Sequence, residues 1–169
     1  MLFTFTAFIA GKSGFAGLPS IPLMVIFSTF LSKITDYSFL EYDESFVRRQ
    51  MVSWLHSSVS SPRLRTKFST LSLNDEEAVL SFVLKNSGGE QSDYDFVVDL
   101  LARAMVIAWL EPEVKNVLLT KQLLTSGDEK FFAQANHISQ LEQMLATAKT
   151  ELKNILRDYG YLNNSYIKE

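Results

Sequence analysis

Between Phe96 and Leu110 the chain reads FVVDLLARAMVIAWL, and the only charged side chains in it are Asp99 and Arg103. A run of this length with no strand-like alternation predicts a helix buried nearly all round. Ser92 can cap it, Asp95 completes a capping box three residues later, and Asp93 and Asp95 put negative charge where the helix dipole favours it. Asp99 and Arg103 stand four apart, close enough to pair on one face while the rest enters a core. The run is too short and too charged for a bilayer, which takes roughly 20 apolar residues. A central core helix is therefore expected at 93–111.

A helix buried on every side needs partners, and the chain has the material for them. It holds 169 residues, 47% of them hydrophobic and thirteen of them Phe, enough for one domain around one core. The net charge of −3 implies no overall attraction to DNA or to membranes, so partners must be sought in local patches. Cys is absent, which removes disulfides, thiolate nucleophiles and thiolate metal sites together. The apolar opening MLFTFTAFIA lacks the preceding positive charge of a signal peptide, since the first Lys is Lys12. LPSIPLMVIFSTFL is broken by Pro19 and Pro22, so neither a targeting nor a transmembrane segment is expected.

From Leu2 to Ala10 the residues alternate, Phe3, Phe5 and Ala7 against Thr4, Thr6 and Phe8, which predicts a strand. Gly11, Gly14 and Gly17 interrupt it, and Ser20 and Pro22 mark the start of a helix that carries Phe27, Phe30, Leu31 and Ile34 to about Asp36. Asp43 and Glu44 open a second helix with Val47, Met51, Trp54, Leu55 and Ser58 on one face and Arg49, Ser53 and His56 on the other. It ends before Pro62. In RLRTKFST, Leu64, Thr66, Phe68 and Thr70 alternate with Arg63, Arg65, Lys67 and Ser69, which reads as a strand with a basic face. AVLSFVLK suits a strand or, capped by Asn74, a short helix; its β-branched and aromatic residues and the NSGG stop favour the strand. A hairpin at about 63–70 and 78–85 follows, then a loop at Asn86–Gln91.

Pro112 predicts a kink or stop, with helical character resuming at Val114, Val117, Leu118 and Leu119 until Gly127, and Asp128 is placed to cap a new helix. A second long helix is expected at 136–159, where Ile138, Leu141, Leu145, Ala148, Leu152, Ile155 and Tyr159 step by threes and fours, Met144 and Leu156 widen the stripe, and Gly160 ends it. The expected fold is mainly α: a helical bundle around these two helices, one domain spanning 1–169, with an extension at about 1–20 and a tail at about 160–169. Tyr161, Leu162, Tyr166 and Ile167 make that tail too apolar to be idle.

Residues that suggest chemistry are few. AGKSG resembles part of a phosphate-binding loop, but the spacing would put its first glycine at Thr6. His56 and His137 cannot hold a metal alone, no nucleophile motif surrounds the serines, and the helix dipole and Arg103 account for Asp93, Asp95 and Asp99 without a cation. No catalytic, cofactor or metal site is expected. Arg63, Arg65 and Lys67, with Arg48 and Arg49 nearby in sequence, form one basic patch. It suits contact with phosphates of DNA or an acidic partner, but a solvated strand face or an intersubunit ion pair accounts for it more readily.

LLARAMVIAWLEPEV, SGDEKFFAQANHISQLEQML and LRDYGYLNNSYI, together with the amino-terminal FTAFIAGKSGFAGLPSIPLMVIF, resemble the head-to-tail adaptor (neck) proteins of tailed bacteriophages. The resemblance implies a structural virion protein, assembled in the host cytoplasm, whose copies join into a ring between portal and stopper or tail completion protein. Packaged DNA would pass through the ring, and no cofactor or membrane is involved. It also implies that Tyr161, Leu162, Asn163, Asn164, Tyr166 and Ile167 contact portal or a neighbouring subunit. The alternative from the residues alone is a helical DNA-binding or packaging accessory protein using Arg63, Arg65 and Lys67.

Overall fold

The computed structural model describes residues 17–34, 42–123 and 128–162, with side chains described except at 117–123, 128–137 and 161–162. The expected strand at 2–10, the AGKSG loop and the tail from 163 lie outside these residues, as does the side chain of His137. In chain order the elements are β1 (Ser20–Pro22), α1 (Leu23–Lys33), α2 (Glu44–Val59), α3 (Pro62–Arg65), β2 (Phe68–Asn74), β3 (Val79–Leu84), α4 (Glu90–Leu123) and α5 (Asp128–Leu162). The fold is thus mainly helical with a small antiparallel sheet of order β1-β3-β2.

α2 begins where its sequence says it should. The Asp43 carboxylate accepts from the Ser45 hydroxyl and from the Ser45 amide, the latter at 3.0 Å, and these hydrogen bonds hold its pKa below the usual carboxylate value. Its inner face is the expected one: Met51, Leu55 and Ser58 are buried and Arg49, Ser53 and His56 exposed. The hairpin is present, but its first strand starts five residues later than expected. Pro62 supplies the fixed φ of a helical first residue, so 62–65 close as a short helix with Leu64 buried, and Arg63, Arg65 and Lys67 share no strand face. Ser20–Pro22 likewise pairs with β3 before the helix begins, with Ile21 opposite Leu80 and fully buried. The β2–β3 turn is held by Asn74, whose side-chain carbonyl accepts from the Glu76 and Glu77 amides at 3.1 Å each.

α4 and α5 are both longer than expected. α4 starts at Glu90, which places Ser92 inside the helix rather than at its cap, and it runs through Pro112 to Leu123. A helix-interior proline costs about 3 kcal/mol, and here burial of Leu110 and Val114 on either side outweighs that cost. α5 begins at Asp128, eight residues before 136, and continues past Gly160 to Leu162. Gly160 keeps helical backbone and leaves room for Lys67: a Cβ there would lie 3.0 Å from the Lys67 amine. At 1.5 Å per residue each helix is about 50 Å long.

The core forms around α4. Ile26, Phe27 and Phe30 from α1, Met51, Leu55 and Val59 from α2, and Leu80, Phe82 and Leu84 from β3 meet Val97, Leu100, Leu101, Ala104 and Met105 of α4. Met105 is fully buried filler, as expected, and Trp54 is half-buried with its ring 5.6 Å from that of Phe30. α5 adds Leu156, with Leu152, Ile155 and Tyr159 packed against the cluster from outside.

Candidate functional site

The two long helices lie side by side, and their polar contacts fix the register. Phe96 stacks on Tyr159 with ring centroids 3.6 Å apart, Arg103 reaches Glu151, and Glu111 pairs with Lys149, so partners rise on one helix as they fall on the other. The helices are therefore antiparallel. At the core end, α5 is clasped by one side chain. Asp93, buried, accepts from the Gly88 amide at 2.8 Å and the Ser87 hydroxyl at 2.6 Å, and also from the Tyr159 hydroxyl. Gly89 makes this possible, because its φ of +113° is a conformation that other residues adopt only with strain. Burial first, then the Asp93 hydrogen bond, pushes the Tyr159 phenol from its ordinary value of 10.0 up to about 12.

One turn and a half further along, Asp99 joins three helices. It accepts from Lys33 of α1 at 2.6 Å and from Arg103 at 2.9 Å, and Arg103 in turn donates to Glu151 of α5 at 2.6 Å. Burial pushes the Asp99 carboxyl up, but the hydrogen bonds and charges of Lys33 and Arg103 together outweigh it and hold its pKa below the usual value. The expected pairing of Asp99 with Arg103 is present. Asp93, Asp95 and Asp99 do not converge: the first faces the 85–89 turn and Tyr159, the second accepts from Gln91 at 3.0 Å, and the third faces Lys33 and Arg103. His56 pairs with Asp75 across 2.8 Å at the exposed surface. Among the described residues no group of three His, Asp or Glu is placed to hold a metal.

Two of the basic trio sit at helix ends. Arg65 donates from Nε to the Val59 carbonyl at 3.0 Å, one of the last carbonyls of α2, which have no partner within the helix. Lys67 lies against Gly160 in the last turns of α5, where the negative end of the helix dipole favours a cation. Arg63 is exposed on α3. Arg48 and Arg49 stand about 15 Å back from the end of α2 at 1.5 Å per residue, both exposed. Of the expected contact residues in the tail, Tyr161 and Leu162 fall in the last turn of α5 with side chains outside the description, and Asn163, Asn164, Tyr166 and Ile167 lie wholly outside it.

Away from the clasp the seam opens. Val106, Leu110, Met144, Ala148 and Glu151 line a surface groove of about 500 Å³, and Met144, expected to widen the packed stripe, is 51% exposed. On the other side of α4, Ala104, Ala108, Glu111, Pro112 and Leu152 line a second, more polar hollow of about 630 Å³. The second hollow also carries Ser57, Ser58, Ser61, Lys115 and Asn116, and the Ser57 and Ser58 hydroxyls donate to the Ser53 and Trp54 carbonyls at 3.1 and 2.8 Å. The sequence reading missed the Asp93–Tyr159 and Lys33–Asp99 contacts because each joins residues 66 positions apart, and no local periodicity encodes such a pairing.

No family model, no curated protein and no solved structure matches this chain.

Proposed function

We propose that the protein works by joining protein to protein, as a ring-forming adaptor between the portal and the stopper or tail in the neck of a tailed-phage virion. The observation that carries this reading is α5: a helix about 50 Å long, held along its described part by one stripe and three polar contacts, with most of that part's perimeter turned outward. A helix so exposed contributes little to the core for its length, and it presents a long, rigid, mixed surface to a neighbour. In a closed ring the two flanks of each subunit would be complementary, one flank led by α5 and the other by the α1–α2 side. Met24, Leu31 and Phe46 on α1 and α2 are large apolar side chains left exposed there. Sequence resemblance to neck adaptors supports the same role. Native mass spectrometry of the full chain mixed with its portal protein tests it. The expected result is a complex holding many copies of the chain, and persistence of both proteins as separate species overturns the adaptor reading.

A second reading, a DNA-binding accessory protein, rests on exposed Arg63 with Arg65 and Lys67 close by in sequence. The engagement of Arg65 and Lys67 with helix ends weighs against it. Duplex DNA binding that falls steeply as salt rises would favour it.

A further inference from the structure

The two edges of the sheet are unlike. β1 is three residues long and ends in Pro22, so it is blunted by shortness and by the missing amide. β2 is seven residues long, FSTLSLN, with no charge and no proline, and among the described residues no backbone group pairs with its outer side. The register says which groups are left. Phe82 donates to the Pro19 carbonyl and Leu23 to the Ala78 carbonyl, so Ala78, Leu80 and Phe82 turn their backbone groups toward β1. Val79, Ser81 and Val83 then face β2, where they pair with Asn74, Ser72 and Thr70. Leu71 and Leu73 therefore direct N–H and C=O outward, away from the sheet, while their side chains pack on the core. An uncharged, unblocked edge of this kind is a template for another strand.

The same chain holds a segment suited to it. Leu2–Ala10 is nine residues without charge, proline or glycine, alternating Phe3, Phe5 and Ala7 with Thr4 and Thr6. Laid on β2, the first set would extend the Leu71–Leu73 face and the threonines would lie beside Ser72, whose side chain is on the other face. Topology disfavours a segment from the same molecule. The chain enters β1 at the end of the sheet where α3 leads into β2 and the 85–89 turn leaves β3. A strand beyond β2 lies about 14 Å from β1 at the usual strand spacing. From Ala10 to Gly17 the chain spans at most about 25 Å fully extended, and within one molecule that path has to pass round α3 and that turn. A second copy has no such detour.

We propose that residues 2–10 of one copy add as a fourth strand to the outer edge of β2 in another copy. This deepens the joining role above and rests on copies meeting one another, but not on the portal. The absence of Cys gives a clean test in the full-length chain. Two single-cysteine variants, Thr6→Cys and Ser72→Cys, are mixed and treated with a short bis-maleimide linker, with Ser53→Cys on the exposed face of α2 replacing Ser72→Cys as the control. The expected result is a Thr6→Cys/Ser72→Cys linked dimer at a yield at least about tenfold above the control, because strand addition raises the local concentration of the two thiols. A chain lacking residues 1–10 should keep its thermal transition and lose concentration-dependent association. In a Thr6→Cys/Ser72→Cys double variant, linkage only within single molecules overturns the proposal, as does a yield from the mixed single variants equal to the control. Because the free chain is read here, such a failure leaves the portal test above to decide the adaptor reading separately.

Discussion

α4 and α5 are nearly equal in length, 34 and 35 residues, yet they stand differently in the fold. α4 is covered on several sides, with Val97, Leu100, Leu101, Ala102 and Met105 at 0% exposure. Along the described part of α5 only Ile138 and Leu156 are buried, and Leu141, Leu145, Ala148, Leu152 and Ile155 form a half-covered stripe. A helix with apolar residues all round has to be enclosed, and one with a single stripe can only be leaned on. The first holds the fold together, and the second offers a surface.

Truncation at matched positions should expose this difference most. Met105→Ala on α4 is expected to cost about 2–5 kcal/mol, because a fully enclosed site cannot collapse onto the cavity. Leu152→Ala on α5 should cost well under half as much, and urea unfolding of the two variants measures both. Equal losses would break the distinction. Next comes Pro112→Ala, which restores an amide and removes a clash inside α4, and should raise stability by about 1–3 kcal/mol, read as a higher Tm.

These two expectations also mark what the sequence could disclose. The centre of α4 was legible because FVVDLLARAMVIAWL admits no other burial pattern, and the inner face of α2 because its spacing is regular. Pro112 and Gly160 were misleading as stop signals: both are local preferences of at most a few kcal/mol, and packing across the helix pair overrides them. Arg63, Arg65 and Lys67 looked like a strand face because alternation over four residues also fits one turn opened by a proline. The clasp of Asp93 on Tyr159 was illegible, since Asp93 read naturally as a first-turn acid and nothing near Tyr159 in sequence names its partner.

The polar contacts between the helices set the middle of the scale. Asp99→Asn should cost about 1–2 kcal/mol, since Lys33 and Arg103 both lose their shared carboxylate at a site still partly open to water. Because the folded-state pKa of Asp99 is lowered, its contribution is complete above the ordinary carboxylate value and lost as pH falls below about 4. Tyr159→Phe keeps the stack on Phe96 and removes the bond to Asp93, for a loss of about 1 kcal/mol. The Tyr159 phenol is held neutral by the fold, so its contribution is complete below pH 10.0 and disappears as pH rises to about 12. Ultraviolet titration of the six tyrosines should show one late proton that the variant lacks. The smallest effect is expected at Ala78, whose φ of 52° is left-handed: Ala78→Gly should gain up to about 1 kcal/mol if relief of strain outweighs the entropy of glycine.

Hydrogen exchange followed residue by residue, on the chain alone and again on the chain mixed with the portal protein proposed above as its partner, tests the contrast most directly. Amides of α4 from Val97 to Met105 should exchange slowest in the free chain, those of α5 from Ile138 to Ala148 markedly faster, and only the latter should slow on assembly. Equal protection of both helices in the free chain, or no change along α5 on assembly, would contradict the division between a helix that holds the fold and a helix proposed to meet its neighbours.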